Sequence, residues 1–125
     1  MNCDCGSARP YADCCGRYHS GLLHLQAPNA EALMRSRYSA YTRGLADYLI
    51  ATWHPSTRPA ALEPRPPGLR WLGLEVRRCA IQDGDHATVE FVARSKLGGR
   101  AQRLHETSRF VCEQGRWYYV DGDVR

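Results

Sequence analysis

Two periodicities divide the chain. Between residues 29 and 53, Met34, Tyr38, Tyr41 and Leu45 recur three or four positions apart, the spacing of one helix face. Asn29, just after Pro28, is placed to cap that helix. Glu31 falls in the first turn, where the helix dipole favours an acid, and Gly44 suits the C-terminal cap. A second helix is predicted from about residue 45 to 53, with Asp47 near its start and Pro55 stopping it. Residues 55–67 hold Pro55, Pro59, Pro64, Pro66 and Pro67, so neither helix nor central strand is expected there. After Gly68 the period becomes two. Strands are predicted over 69–82, 86–96, 102–113 and 116–120, separated by Asp83-Gly84-Asp85, Gly98-Gly99 and Gln114-Gly115. Such short breaks make antiparallel hairpins. Two helices followed by four hairpin-linked strands is an α+β fold, its sheet curling around the first helix to bury the Met34/Tyr38/Tyr41 stripe.

Alternation assigns two of the inner faces. On the third strand Leu104, Glu106, Ser108, Phe110 and Cys112 share the inward side, and on the second Ala87, Val89, Phe91 and Ala93 do. The first strand mixes both characters and takes no assignment. The inward setting of Glu106 and Ser108 matters, because polar groups on a core face need partners.

The first twenty residues follow neither period. They carry four of the six cysteines in the pattern C-x-C-x8-C-C (Cys3, Cys5, Cys14, Cys15), with Gly6 and Gly16 beside the pairs. The chain therefore reads as a cysteine module over 1–20, a connector over 21–28 and a folded unit over 29–125. The leading segment has no apolar core of a secretory signal, and no stretch approaches a membrane span, so a reducing bacterial cytosol is expected. There, clustered cysteines point to metal before disulfides. Two short-spaced thiolate pairs suit the four-ligand tetrahedron of structural zinc. Zinc would also explain how so polar a leader is ordered, since structural sites contribute about 10–16 kcal/mol of apparent binding free energy to folding. A Cys14–Cys15 disulfide would be strained, and iron–sulfur motifs space their cysteines more widely than C-x-C. His19 and His24 stand by as spare ligands, and Cys79 and Cys112 fit strand positions as small hydrophobes.

Charge adds little. The formal +4 comes from 17 basic and 13 acidic residues, scattered along the chain, and four thiolates with one dication would bring it to about +2. No nucleic-acid stripe stands out.

The stretch Cys3-Asp-Cys-Gly-Ser followed by Pro10-Tyr-Ala-Asp-Cys-Cys-Gly16 resembles the SEC-C motif, the zinc-binding tail of the SecA translocase motor. Leu33-Met-Arg-Ser-Arg-Tyr-Ser-Ala-Tyr41, Thr52-Trp-His-Pro-Ser-Thr-Arg-Pro59, Leu104-His-Glu-Thr-Ser-Arg-Phe110 and Gly115-Arg-Trp-Tyr-Tyr-Val-Asp-Gly122 resemble the bacterial YchJ family. The resemblance implies a SEC-C module joined to a domain of nuclear transport factor 2-like fold, and it brings no established reaction. Two departures stand out. Asp4 occupies the place where the motif usually has proline, and the second cysteine motif that some relatives carry near the C-terminus is missing.

Two readings of function follow. In the first, the SEC-C motif is a binding module for a protein or ribosome-associated partner, with Arg9, Tyr11, Arg17 and Tyr18 as contacts, by analogy with the partners of SecA. In the second, the cone-shaped cavity typical of the resembled fold binds a small molecule or performs catalysis, lined by Tyr38, Tyr41, Trp53, His54, Glu106, Ser108, Trp117 and Tyr119. Glu106 and His54 would form its acid–base pair, with the proline-rich loop as lid. Against that, Glu106 could pair with Arg35 or Arg37, His54 could cap its helix, and His86 and His105 belong on the surface. No residue is assigned a catalytic role, and a homodimer through the curved sheet stays open.

Overall fold

The computed structural model describes residues 2–62 and 66–125. A 3-10 turn (Tyr11–Asp13) and a one-turn helix α1 (Gly16–His19) precede the long helix α2 (Ala30–Arg43) and the short helix α3 (Ala46–Ala51). Four strands follow: β1 (Arg70–Asp83), β2 (His86–Leu97), β3 (Arg100–Glu113) and β4 (Arg116–Val124). They form one antiparallel meander in the order β1-β2-β3-β4, with α2 packed on its inner face. Among the described residues no helix is long and apolar enough to cross a membrane.

Helix α2 starts where the Asn29 side chain accepts a hydrogen bond from the Ala32 amide at 2.8 Å. It ends at Gly44, which takes the left-handed φ of 71° and donates to the Ala40 and Tyr41 carbonyls. Leu33, Met34, Tyr38 and Ala40 are buried against the sheet, each large apolar side chain contributing about 1.5–3 kcal/mol. Helix α3 is shorter than predicted. Thr52 turns its hydroxyl back to the Tyr48 carbonyl, and Trp53 leaves the helix to bridge Tyr119 of β4. Pairing with the sheet edge outweighs the last helical turn. Of the proline-rich loop, Pro64 lies outside the described residues.

The inner faces of β2 and β3 are as alternation places them: Ala87, Val89, Phe91, Ala93, Ser108 and Phe110 are buried. Strand β1 shows why its pattern resisted assignment. Its register shifts between Trp71 and Gly73, between Val76 and Arg78, and between Ile81 and Asp83. Each irregularity inserts a residue and breaks the alternation. Strand β4 runs past residue 120 because a further shift opposite Arg109 and Phe110 absorbs one residue and lets pairing continue to Val124. Val92 is wholly buried although it points outward, set in register between Glu75 and His105.

Candidate metal centre and cavity

The cysteine module folds as two short turns. The Cys3 amide donates to the Arg9 carbonyl at 2.7 Å, and the Gly6 amide closes back on Cys3. The second pair sits where the 3-10 turn runs into α1, with Arg17 and Tyr18 amides bonded to the Cys14 and Cys15 carbonyls. Gly16 is required there, because a β-carbon would lie 2.8 Å from the Tyr11 carbonyl oxygen and 2.9 Å from its ring.

These turns bring the Sγ atoms of Cys3, Cys5, Cys14 and Cys15 within 4.8 Å of one another, all four buried. Cys5 and Cys14 are 3.6 Å apart, and Cys14 and Cys15 4.0 Å apart. A tetrahedral thiolate site with metal–sulfur bonds of about 2.3 Å needs sulfur–sulfur separations of about 3.8 Å. The spacing therefore fits one metal ion and is far from the roughly 2 Å of a disulfide. Without a cation the thiols share protons. Hydrogen bonding from Cys15, outweighing burial, pushes Cys5 down to about 4. Burial raises Cys3, and hydrogen bonding to Cys5 together with burial raises Cys15. A dication would replace those protons.

The surroundings hold the ligands in place. Ser7 Oγ lies 3.1 Å from Cys14 Sγ. Arg35 donates to the Cys5 carbonyl at 2.8 Å and Arg17 to the Cys14 carbonyl at 3.0 Å, so two cations are held against the cysteine backbones beside the four sulfurs. Asp4, where the motif usually has proline, docks the module onto α2. One of its oxygens accepts from Ser39 Oγ at 3.1 Å, Thr42 Oγ1 at 3.0 Å and Arg43 Nε at 2.7 Å. Burial would raise its carboxyl, but these bonds win and hold it below the usual range. Arg43 also stacks over the Tyr11 ring at 3.4 Å.

His19 is no spare ligand. Its Nδ1 meets the Tyr11 hydroxyl at 2.5 Å and its Nε2 the Ser36 carbonyl at 2.8 Å. With Nε2 donating to the carbonyl and Nδ1 accepting from the phenol, one neutral tautomer satisfies both, and burial lowers the imidazole pKa accordingly. His24 packs toward the Tyr48 ring instead.

The residues expected to meet a partner divide. Arg9 is exposed, and Arg17 lines a surface cleft with it beside Cys14 and Cys15. Tyr11 is engaged by His19 and Arg43. Tyr18 is buried in the main core, because the α1 turn directs it inward, and it offers no contact surface.

Between α2 and the sheet lies a cavity of about 170 Å³. Of the residues predicted to line it, Tyr38, Tyr41, Glu106, Ser108 and Tyr119 do so; Trp53, His54 and Trp117 lie outside the lining. Glu106 accepts a hydrogen bond from Ser108 Oγ at 2.5 Å. Gly122 makes room for it, since a β-carbon there would overlap the Glu106 carboxylate. His54 does not form an acid–base pair with Glu106. Its Nε2 stands 2.9 Å from the Glu113 carboxylate at an angle too poor for a hydrogen bond, its Nδ1 meets Ser56 Oγ at 2.7 Å, and its ring packs edge-on against Tyr118. His86 is exposed beside Asp83, and His105 is half-buried against Glu90. Cys79 is not packed as a hydrophobe: it is exposed and donates to Glu31 at 3.3 Å.

Arg37, expected only as a possible partner of Glu106, is the charged side chain that joins Glu106 in the cavity lining. It is buried, donates to the Leu49 carbonyl at 2.8 Å and Thr52 Oγ1 at 2.7 Å, and lies over the Tyr119 and Trp53 rings. Among the described residues no carboxylate is within ion-pair distance of it, and burial lowers its pKa. Neither Arg35 nor Arg37 forms an ion pair with Glu106; Arg35 is committed to Glu31. The signal was an arginine inside an apolar helical stripe, flanked by Met34, Tyr38 and Tyr41.

The model of the YchJ middle, NTF2-like domain matches residues 29–122. A UPF0225 protein of Bordetella pertussis is 62% identical over 123 residues, covering 98% of this chain and 92% of its own length. One from Methylibium petroleiphilum is 64% identical over 125 residues, covering 99% and 89%. Among solved structures, a SEC-C motif containing protein from Rhodopseudomonas palustris superposes with a TM-score of 0.85 at 37% identity, covering 100% of this chain and 99% of the other. Another from Psychrobacter arcticus gives 0.81 at 31% identity, covering 100% and 83%. With a cysteine module docked on a curved-sheet NTF2-like domain, this chain belongs to the YchJ (UPF0225) family.

Proposed function

We propose that the chain is a zinc-stapled small-molecule-binding protein of the bacterial cytosol, in which the metal has a structural role and the cavity between α2 and the sheet takes the ligand. The cavity carries this reading. Its apolar walls include Met34, Trp71, Phe91, Leu104 and Phe110, and its polar groups are Glu106, Ser108, the buried Arg37 and the lining tyrosines. Apolar walls with convergent polar groups are the usual makeup of a ligand site. The volume suits a ligand of about one or two rings, a little larger than the 150 Å³ engineered cavity that takes up benzene. Four thiolates with tetrahedral spacing support zinc as the resident cation. With four protein sulfurs the coordination is closed, so zinc here supplies structure and no open position for chemistry.

The test is a fragment screen by amide chemical-shift mapping on zinc-loaded protein, paired with Ala93→Phe, which fills the cavity from a buried strand position. Small aromatic fragments should shift Trp71, Leu104 and Glu106 and lose that effect in the filled variant. Shifts confined to other surfaces, or unchanged in Ala93→Phe, would refute the reading.

A partner-binding role for the SEC-C face is the second reading. Arg9 and Arg17 beside the ligand cysteines support it, as do the exposed Leu22 and Leu23 that follow α1. Capture of the same partners by intact and Cys14→Ser protein would count against it.

A further inference from the structure

The cations are dispersed in sequence, but strand register gathers them. On the outer face Arg70 pairs with Lys96, and Arg94 pairs with Arg103, two like charges directly opposite. Arg100, opposite Leu97 at the β2–β3 hairpin, shares the parity of Leu104 and Glu106, so it extends the charge around the rim of the sheet rather than on the outer face. All five are exposed. Their acidic company is sparse. Glu75 reaches Arg94 at 3.8 Å, and among the described residues Arg70, Lys96, Arg100 and Arg103 have no ion-pair partner. The opposite end of the face is neutralised, with Arg109 bound by Asp121 and Asp123 and His86 by Asp83. A like-charge cross-strand pair is destabilising, so folding alone gives no reason for it.

We propose that this end of the sheet binds the phosphate backbone of a nucleic-acid duplex without reading its sequence. Four of the five cations are arginine, whose planar fork grips phosphate with two parallel bonds. The paired positions Arg70, Gly73, Arg94, Lys96, Ala101 and Arg103 include no aromatic ring. The surface therefore offers no platform on which single-stranded bases could stack, and a duplex is the form it fits. A protein partner fits less well, since the apolar surface beside these cations is the exposed Leu72 of the β1 bulge, with no aromatic anchor at the paired positions.

The test is fluorescence anisotropy of short labelled RNA and DNA duplexes with the zinc-loaded full chain across a salt series. Four or five neutralised phosphates predict a slope of log affinity on log salt near −4, about −0.9 per contact. Arg94→Gln/Arg103→Gln should flatten the slope by about 2. Arg58→Gln/Arg116→Gln, an equal charge loss away from this end, should leave it unchanged. Thermal melting checks that both variants fold; easing the Arg94–Arg103 repulsion should not lower the melting temperature. Binding of either duplex with this pattern supports the proposal, and the RNA and DNA arms show which backbone is preferred. No binding at low salt, equal loss in both variants, or binding only to phosphatidylglycerol vesicles would overturn it.

Discussion

Replacing Asp4 by alanine removes the bond set that fastens the cysteine module to α2. The carboxylate accepts from Ser39, Thr42 and Arg43, and a hydrogen bond contributes about 0.5–1.5 kcal/mol net, more when charged. Solvent screens the Arg43 pair, because its two side chains are 34% and 33% exposed. The bonds from the two hydroxyls keep more of their value, since Ser39 is fully buried and would lose this acceptor. Together these give a loss of about 2 kcal/mol, confined to module docking. If the module must lift from α2 before a chelator reaches the metal, release should quicken about thirtyfold. The assay is zinc transfer to a chromophoric chelator under native conditions, with far-ultraviolet circular dichroism showing the sheet intact. Asp4→Asn, which keeps an acceptor oxygen but not the charge, should fall between. Release from Asp4→Ala at the wild-type rate would refute the view that this residue clamps the module.

Gly16→Ala forces a β-carbon against the Tyr11 carbonyl, a backbone atom unable to swing aside, and should cost about 1–3 kcal/mol and weaken zinc retention in the same chelator assay. Tyr38, Tyr48 and Tyr119 are pushed up to about 12, chiefly by burial. Between about pH 10, where unfolded tyrosine ionises, and pH 12 the folded chain therefore holds more protons than the unfolded one, and stability must fall as pH rises. Urea midpoints measured across that window should decline alongside a late phenolate absorbance step, and a flat profile would contradict the burial of these rings.

The elements carrying unbroken periods were the legible part. Asn29 and Gly44 marked the ends of α2, and alternation alone faced Phe91 and Phe110 inward. Where the backbone slips register the signal failed: the shifts in β1 scrambled its faces, and the one in β4 hid its last residues. The gathering of the four cysteines was legible because short loops bring near neighbours together whatever the rest of the fold does. Contacts across long separations were not. Nothing local ties Asp4 to Arg43, sends His54 to Glu113 rather than Glu106, or sets Arg94 opposite Arg103. Tyr18 misled because side-chain type suggests a surface anchor while the α1 turn directs the ring inward.

The proposed centre is one cation that holds the four sulfurs and orders residues 2–20. Elemental analysis of purified protein, combined with amide exchange before and after EDTA, tests it directly. The expected result is one zinc per chain, with protection of residues 2–20 lost on chelation while α2 and the strands keep theirs. Metal well below one equivalent, with that segment equally protected after EDTA, would contradict it.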